Sequence, residues 1–151
     1  MRLPVVACIA SAMQIALTPL AGEPEPHNPA HAGEWAGALD GAGHGNPPWC
    51  FYFARLGEEP AGIGLFKGPP ADGVVEIAYL TFLGARRRGV ATAIISQLVS
   101  IARGHGMTLV VAHTLREHNP STLALAANGF TGPTEVVDRE DGPVWRWELA
   151  L

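Results

Sequence analysis

From Trp49 onward the apolar residues follow strand and helix rhythms in turn, and Gly, Pro and Asn punctuate the changes. Trp49 to Leu56 is dense in aromatic strand formers. Gly57-Glu58-Glu59-Pro60 reads as a turn and Ala61 to Lys67 as the returning strand of a hairpin. After a turn cluster at Gly68 to Gly73, Val74 to Phe82 forms a third strand. Alternation sets Val74, Glu76, Ala78, Leu80 and Phe82 on one side, with Val75, Ile77, Tyr79 and Thr81 on the other. The period then changes. Val90, Ile94, Leu98 and Ile101 recur at helical spacing, widened by Ile95, Val99 and Ala102, which predicts a helix from about Gly89 to Arg103. Gly104 and Gly106 stop it. Thr108 to Thr114 is a continuous apolar run, the pattern of a buried strand with parallel pairing open to it. A short helix from Pro120 to Ala127 opens at Asn119-Pro120 and closes at Asn128-Gly129. Strands from Phe130 to Val137 and Val144 to Leu149 flank the turn Asp138 to Pro143. The order predicts a single α/β domain built on a mixed, mostly antiparallel sheet of roughly seven strands.

The first third of the chain reads differently. Leu3 to Leu17 is an apolar run broken by Pro4, Ser11 and Gln14, followed by Thr18-Pro19-Leu20-Ala21. Two readings stand: a secretory leader cut after Ala21, or the first strand and helix of the domain. A charged region of one arginine, Arg2, favours the domain's own strand and helix. Residues 19–48 hold twelve Gly or Pro and sustain neither period, so they read as a loop-like segment. Its His27, His31 and His44 are irregularly spaced and lack partners at metal-ligand spacing.

Composition narrows the class. With 151 residues the chain has the length of one domain, and 48% apolar against 16% charged residues supplies a core and excludes a disordered chain. A net charge of −4 argues against non-specific nucleic-acid binding. Cys8 and Cys50 are too few for a disulfide framework and read as buried thiols of a cytoplasmic protein. Three of the ten basic residues cluster at Arg86, Arg87 and Arg88, where a polyanion could be held.

That cluster lies in Arg86-Arg87-Arg88-Gly89-Val90-Ala91-Thr92, between a strand end and a helix N-terminus. Exposed N–H groups and the helix dipole form an anion site there, small residues allow close approach, and guanidiniums add charge-assisted donors. The antiparallel meander before it excludes a dinucleotide fingerprint. Arg86-x-x-Gly89-x-Ala91 resembles the acyl-coenzyme A pyrophosphate loop of the GNAT N-acetyltransferases. His118-Asn119-Pro120-Ser121 through Asn128-Gly129-Phe130 is similar to the family's second motif, and Glu76-Ile77-Ala78-Tyr79 to a strand of the branch that includes ribosomal-protein N-terminal acetyltransferases. The resemblance covers about residues 49 to 151.

The resemblance implies a splayed sheet with helices on both faces, the acyl-CoA N-acyltransferase fold. Leu80, Thr81 and Phe82 would hold the pantetheine arm through their backbone, Arg86 to Thr92 (Arg86, Arg87, Arg88, Gly89, Val90, Ala91, Thr92) the pyrophosphate, and Asn119 would assist. Acetyl-CoA would be the co-substrate, no metal is called for, and a primary amine would attack the thioester directly in a ternary complex. An alkyl amine is mostly protonated at neutral pH, so a base is needed, and Glu76 is the candidate. A carboxylate that only orients a neighbour is the alternative.

Three positions depart from the family's pattern. Arg87 stands where many members have Gly, and His118 where the second motif opens with Asn. Leu125 occupies the place of a Tyr that protonates the leaving thiolate, which leaves His118 and Ser121 as substitutes. His105 and His113 read as turn and strand-end histidines. The Gly/Pro-rich segment replaces helices that wall the acceptor site in the family, so a catalytically weak acyl-CoA sensor or interaction module is the rival reading. The acceptor stays open among protein N-termini, small-molecule amines and amine antibiotics. No nucleic-acid or membrane partner is expected. The apolar Val144-Trp145-Arg146-Trp147 suits either a homodimer edge or a core strand.

Overall fold

A computed structural model describes residues 15–20, 47–139 and 141–151. The strands are β1 (Ile15–Leu20), β2 (Phe51–Leu56), β3 (Glu59–Phe66), β4 (Val74–Thr81), β5 (Leu109–Thr114), β6 (Thr131–Asp138) and β7 (Gly142–Ala150). The helices are α1 (Val90–Gly104) and α2 (Pro120–Ala127), with a 3-10 turn at Leu83–Ala85. One seven-stranded sheet runs in the order β1-β2-β3-β4-β5-β7-β6. Only β4 and β5 pair in parallel; every other neighbour is antiparallel.

Local chemistry sets most boundaries. Gly57, at φ 65°, makes the β2–β3 turn so tight that Glu59 and Pro60, expected in the turn, already pair with Leu56 and Arg55. In α2 the Asn119 side chain accepts from the Thr122 N–H, and the Thr122 hydroxyl answers the Asn119 N–H, which completes a capping box with Pro120 in the first turn. The expected and observed limits of this helix coincide.

Residues Thr18-Pro19-Leu20, weighed above as part of a cleavage site, pair with Phe53, Tyr52 and Phe51 as a sheet strand. Ile15 is buried in the core, and Gln97 of α1 donates to its carbonyl. The expected helix of the first 21 residues and most of the Gly/Pro-rich segment lie outside the described residues. No described helix is long and apolar enough to cross a membrane.

The main core lies on one face of the sheet. There α1 buries Val90, Ile94, Ile95, Leu98, Val99 and Ala102 against Val75, Ile77, Val110, Ala112 and Phe66. Each fully buried Ile or Leu contributes about 1.5–3 kcal/mol. Gly64 makes the close approach possible: a Cβ there would stand 2.7 Å from Ile94 Cγ2 and 3.1 Å from Leu98 Cδ1. Both described helices share this face, since Ala124 and Leu125 of α2 and Phe130 join the same cluster. The opposite face carries a second cluster of Phe51, Phe53, Ile63, Leu65 and Phe82, with Ala78 and Leu80 against it. The alternation read along β4 therefore holds. β7 lies between β5 and β6, so Val144–Trp147 is an interior strand with no free edge. Any pairing of copies through the C-terminal strands falls to β6.

Candidate functional site

The parallel pairing of β4 with β5 runs from Val74–Leu109 to Ile77–Ala112 and stops. Beyond that point β4 continues to Thr81, paired only with β3 through Ala78–Leu65, Tyr79–Gly64, Leu80–Ile63 and Thr81–Gly62. The β5 side of Ala78 to Thr81 therefore has no strand along it. This stretch forms one wall of a cleft, and α2, which follows β5, approaches it on the helix side through Ser121. The closed end, where the strands part, is its apex.

At the open end β4 runs through the 3-10 turn into the basic loop. Arg86 is extended, at φ −65° and ψ 155°, whereas Arg87 takes φ 64° and Gly89 φ 74°. A left-handed Gly89 followed directly by helical Val90 turns successive N–H groups to one side, as in anion-binding nests. Gly89 caps α1 without a side-chain hydrogen bond, and the first turn of α1 holds no acidic residue. Among the described residues no N-cap or first-turn acidic side chain competes with an anion for the N–H groups there. Val90 is buried, so its contribution is backbone alone, while Ala91 and Thr92 are half-buried. The three guanidiniums are exposed. Arg88 bonds both carboxylate oxygens of Glu59 at 3.1 and 2.9 Å. Arg86 and Arg87 form no ion pair among the described residues.

Along the wall, the expected backbone contacts divide. Leu80 and Thr81 border the strandless side of β4. Phe82 differs: its N–H donates to Ala61 at 2.9 Å and its carbonyl accepts from Ala85 at 2.9 Å. Its N–H is therefore not free to hold a ligand. Asn119 differs too, because its side-chain oxygen accepts from Thr122 at 3.1 Å and caps α2. The helix cap, rather than a ligand, uses that atom.

On the helix side of the cleft, the Tyr79 hydroxyl reaches Ser121 of α2, 2.8 Å from its Oγ and 3.3 Å from its carbonyl. Burial pushes the Tyr79 phenol up to about 12, against the opposing pull of the Ser121 hydrogen bond. Leu125 is fully buried in the core and supplies no proton. His118 is exposed, its ring 4.9 Å from that of Trp145. Asn128 ties the helices together, donating to the Thr92 carbonyl at 3.1 Å.

On the opposite side of the sheet stands Glu76. Its Oε1 accepts from His113 Nδ1, and its Oε2 lies 3.6 Å from Lys67 Nζ. His113 is the first β5 residue past the parallel pairing, so this cluster sits at the apex. Sequence reasoning singled out Glu76 and Ser121 but missed their partners, His113 and Tyr79. Alternation grouped Tyr79 with Val75 and Ile77, and Glu76-Ile77-Ala78-Tyr79 resembles a family strand, but neither signal marked its hydroxyl as a partner of Ser121. His105, by contrast, sits at the end of α1 with Nδ1 2.8 Å from the Ile101 carbonyl, a turn histidine as read. Among the described residues no three His, Cys, Asp or Glu side chains gather into a metal-sized group.

Comparison with known proteins places this geometry. An IAA acetyltransferase from Bacillus cereus superposes with a TM-score of 0.62 at 14% identity, over 91% of this chain and 99% of that one. RimL, a ribosomal alpha-N-protein acetyltransferase with coenzyme A bound, gives 0.61 at 17% identity over 68% and 62% of the two chains. The aminoglycoside acetyltransferase AAC(6')-Ib with coenzyme A gives 0.60 at 20% identity, and the match spans 67% of this chain and 65% of that one. The chain thus covers slightly less than two thirds of these last two proteins. No curated protein sequence matches it. The family model for GNAT acetyltransferases matches residues 11–130, across the basic loop, the cleft and α2, and the chain belongs to that family.

Proposed function

We propose that this protein transfers an acetyl group from acetyl-CoA to a primary amine by direct attack in a ternary complex. One observation carries the reading. β4 outruns its parallel partner at Ile77–Ala112 and leads, past Thr81, into a basic loop and a helix N-terminus without a side-chain cap. That arrangement offers a polar backbone edge for an extended amide-bearing arm and an anion site at the end of it. Ala78 to Phe82 spans about 13 Å at the usual strand rise, a reach suited to a pantetheine arm. The structural neighbours determined with coenzyme A share this fold and support the same use of the cleft.

The chemistry follows from the two sides of the cleft. The amine sheds a proton into the Glu76–His113 pair at the apex and attacks the thioester carbon. A backbone N–H from the strandless stretch of β4 stabilises the tetrahedral oxyanion. The Tyr79–Ser121 hydroxyl pair, on the helix side, meets the departing thiolate, in the place where Leu125 has no proton to give. That same Leu125 favours the second reading, a GNAT fold that binds acyl-CoA without turnover. Calorimetric titration with acetyl-CoA, then a thiol-release screen over aminoglycosides, small amines and free peptide N-termini, separates the two. Binding with thiol release establishes the enzyme. Binding with none on any amine establishes the sensor, and no binding overturns both.

A further inference from the structure

At the apex of the cleft the carboxylate and the imidazole form a directed pair. Alternation along β5 puts Val110 and Ala112 into the core under α1 and turns Val111 and His113 to the other side, where Glu76 stands. His113 Nδ1 donates to Glu76 Oε1. This contact commits Nδ1 as the N–H and leaves Nε2 as the bare lone pair. Nε2 has no hydrogen-bond partner among the described residues. The side chains are 22% and 25% exposed, so the pair is sheltered but reachable. Glu76 is engaged on both oxygens, by His113 and by Lys67 Nζ at 3.6 Å. Charged groups face the imidazole from each neighbouring element. They are Lys67 just after β3, Glu76 on β4, and Arg146, its cross-strand partner on β7. The Arg146 guanidinium is itself held by Glu148 at 2.8 Å.

From this geometry we infer that His113 Nε2 is the atom that removes the proton from the acceptor amine, and that Glu76 is the positioning residue that orients the ring. The inference rests on the acetyl-transfer reading above. An imidazole with a free ring nitrogen can both take up and release a proton, whereas both Glu76 oxygens are already engaged. His113 takes one proton from the ammonium, and the freed nitrogen lone pair forms the C–N bond. The C–S bond breaks with its electrons on sulfur, the Tyr79–Ser121 hydroxyl pair gives the thiolate a proton and regains one from the nitrogen's second N–H, and the imidazolium returns its proton to solvent. Glu76 stabilises the imidazolium while it lasts.

The test compares His113→Asn, whose amide retains a donor toward Glu76, with His113→Ala and Glu76→Gln. Acetyl-CoA is the donor, and the acceptor is the best amine among ribostamycin and a peptide with a free N-terminus. Expected for His113→Asn is unchanged acetyl-CoA binding by calorimetry, with turnover lower by about 10²–10³-fold and loss of the acidic limb of the pH profile. Added imidazole restores part of the His113→Ala rate, and Glu76→Gln costs less than either. Overturning results are turnover within a few-fold of wild type in His113→Asn, or abolition by Glu76→Gln with His113→Asn active. Wild-type protein that binds acetyl-CoA but releases no thiol overturns the transfer reading itself, and this assignment with it.

Discussion

The hydroxyls of Tyr79 and Ser121, 42 residues apart in the chain, meet at 2.8 Å across the cleft between β4 and α2. They stand on the side of the sheet away from Glu76 and His113. The proposed acetyl transfer would use the carboxylate–imidazole pair on one side to accept a proton and the hydroxyl pair on the other to meet the leaving thiolate.

Replacing Tyr79 with Phe removes one part-buried hydrogen bond and is expected to cost about 1 kcal/mol of stability at neutral pH. The pH dependence has a definite sign. The folded phenol, raised from 10.0 to about 12, binds its proton more tightly than the unfolded one. The associated stability is complete below pH 10 and is lost as the pH rises through 12, by roughly 2–3 kcal/mol in all. Urea unfolding of both proteins at pH 8 and pH 11.5 should show the gap close and reverse, with Tyr79→Phe the more stable protein at the higher pH. A gap independent of pH would remove the phenol's burial as its cause.

Gly62 and Gly64 of β3 should respond differently to alanine. At Gly64 the new methyl meets side-chain atoms of Ile94 and Leu98, so Gly64→Ala is expected to lose about 1–3 kcal/mol by overpacking, with acetyl-CoA affinity nearly unchanged. At Gly62 the methyl would stand 2.2 Å from the Leu80 carbonyl oxygen, which is backbone and must move. Gly62→Ala should therefore weaken acetyl-CoA binding beyond its effect on stability. Denaturant unfolding and calorimetry on the two variants check this, and equal affinities would detach Leu80 from the cofactor.

The Arg88–Glu59 pair, with side chains 44% and 48% exposed, contributes less than about 1 kcal/mol to folding. Under the proposed cofactor site, a pyrophosphate would compete with Glu59 for Arg88. Arg88→Ala should weaken acetyl-CoA binding by on the order of 1–3 kcal/mol. Glu59→Gln should tighten it severalfold by releasing the guanidinium. Unchanged affinity in both variants would take Arg88 out of the anion site.

At Arg87 the backbone has φ 64°, a conformation that costs a side-chain-bearing residue about 1–2 kcal/mol. Arg87→Gly relieves this and loses about 0.5–1 kcal/mol to the greater freedom of the unfolded chain. It should match or slightly exceed wild type in stability, while Arg87→Ala keeps the strain. Thermal unfolding of the three proteins decides, and a glycine variant clearly below the alanine variant would contradict the strain.

Much of the fold was legible because its signals are short-range. The capping box at Asn119 and Thr122 spans four residues, and the limits of α2 match the pattern along the chain. The alternation of β4 sorted Val75 and Ile77 from Ala78 and Leu80 correctly between two cores. Where a local signal had two meanings the reading slipped. Glu59-Pro60 joined β3 because Gly57 closed the turn early, and Phe82 spent its N–H on Ala61.

The site was legible only by halves. Glu76 and Ser121 stood out as polar residues in motifs, yet a histidine at a strand end carries no mark of its neighbour. His113 gained its meaning from Glu76, 37 residues away. Arg88 likewise met Glu59 across 29 residues.

Along this chain, residue chemistry acting over a turn or two determined the strands, both described helices, the uncapped start of α1 and the basic loop. Hydrogen bonding, periodicity and backbone sterics operate at that range. Tertiary structure decided that β5 enters between β4 and β7, that its pairing with β4 ends at Ile77–Ala112, and which side chains face one another across the gap. Those outcomes depend on which distant strands bury one another best. Closing a long loop costs only slightly more than closing a shorter one, so distance along the chain does not forecast the partner.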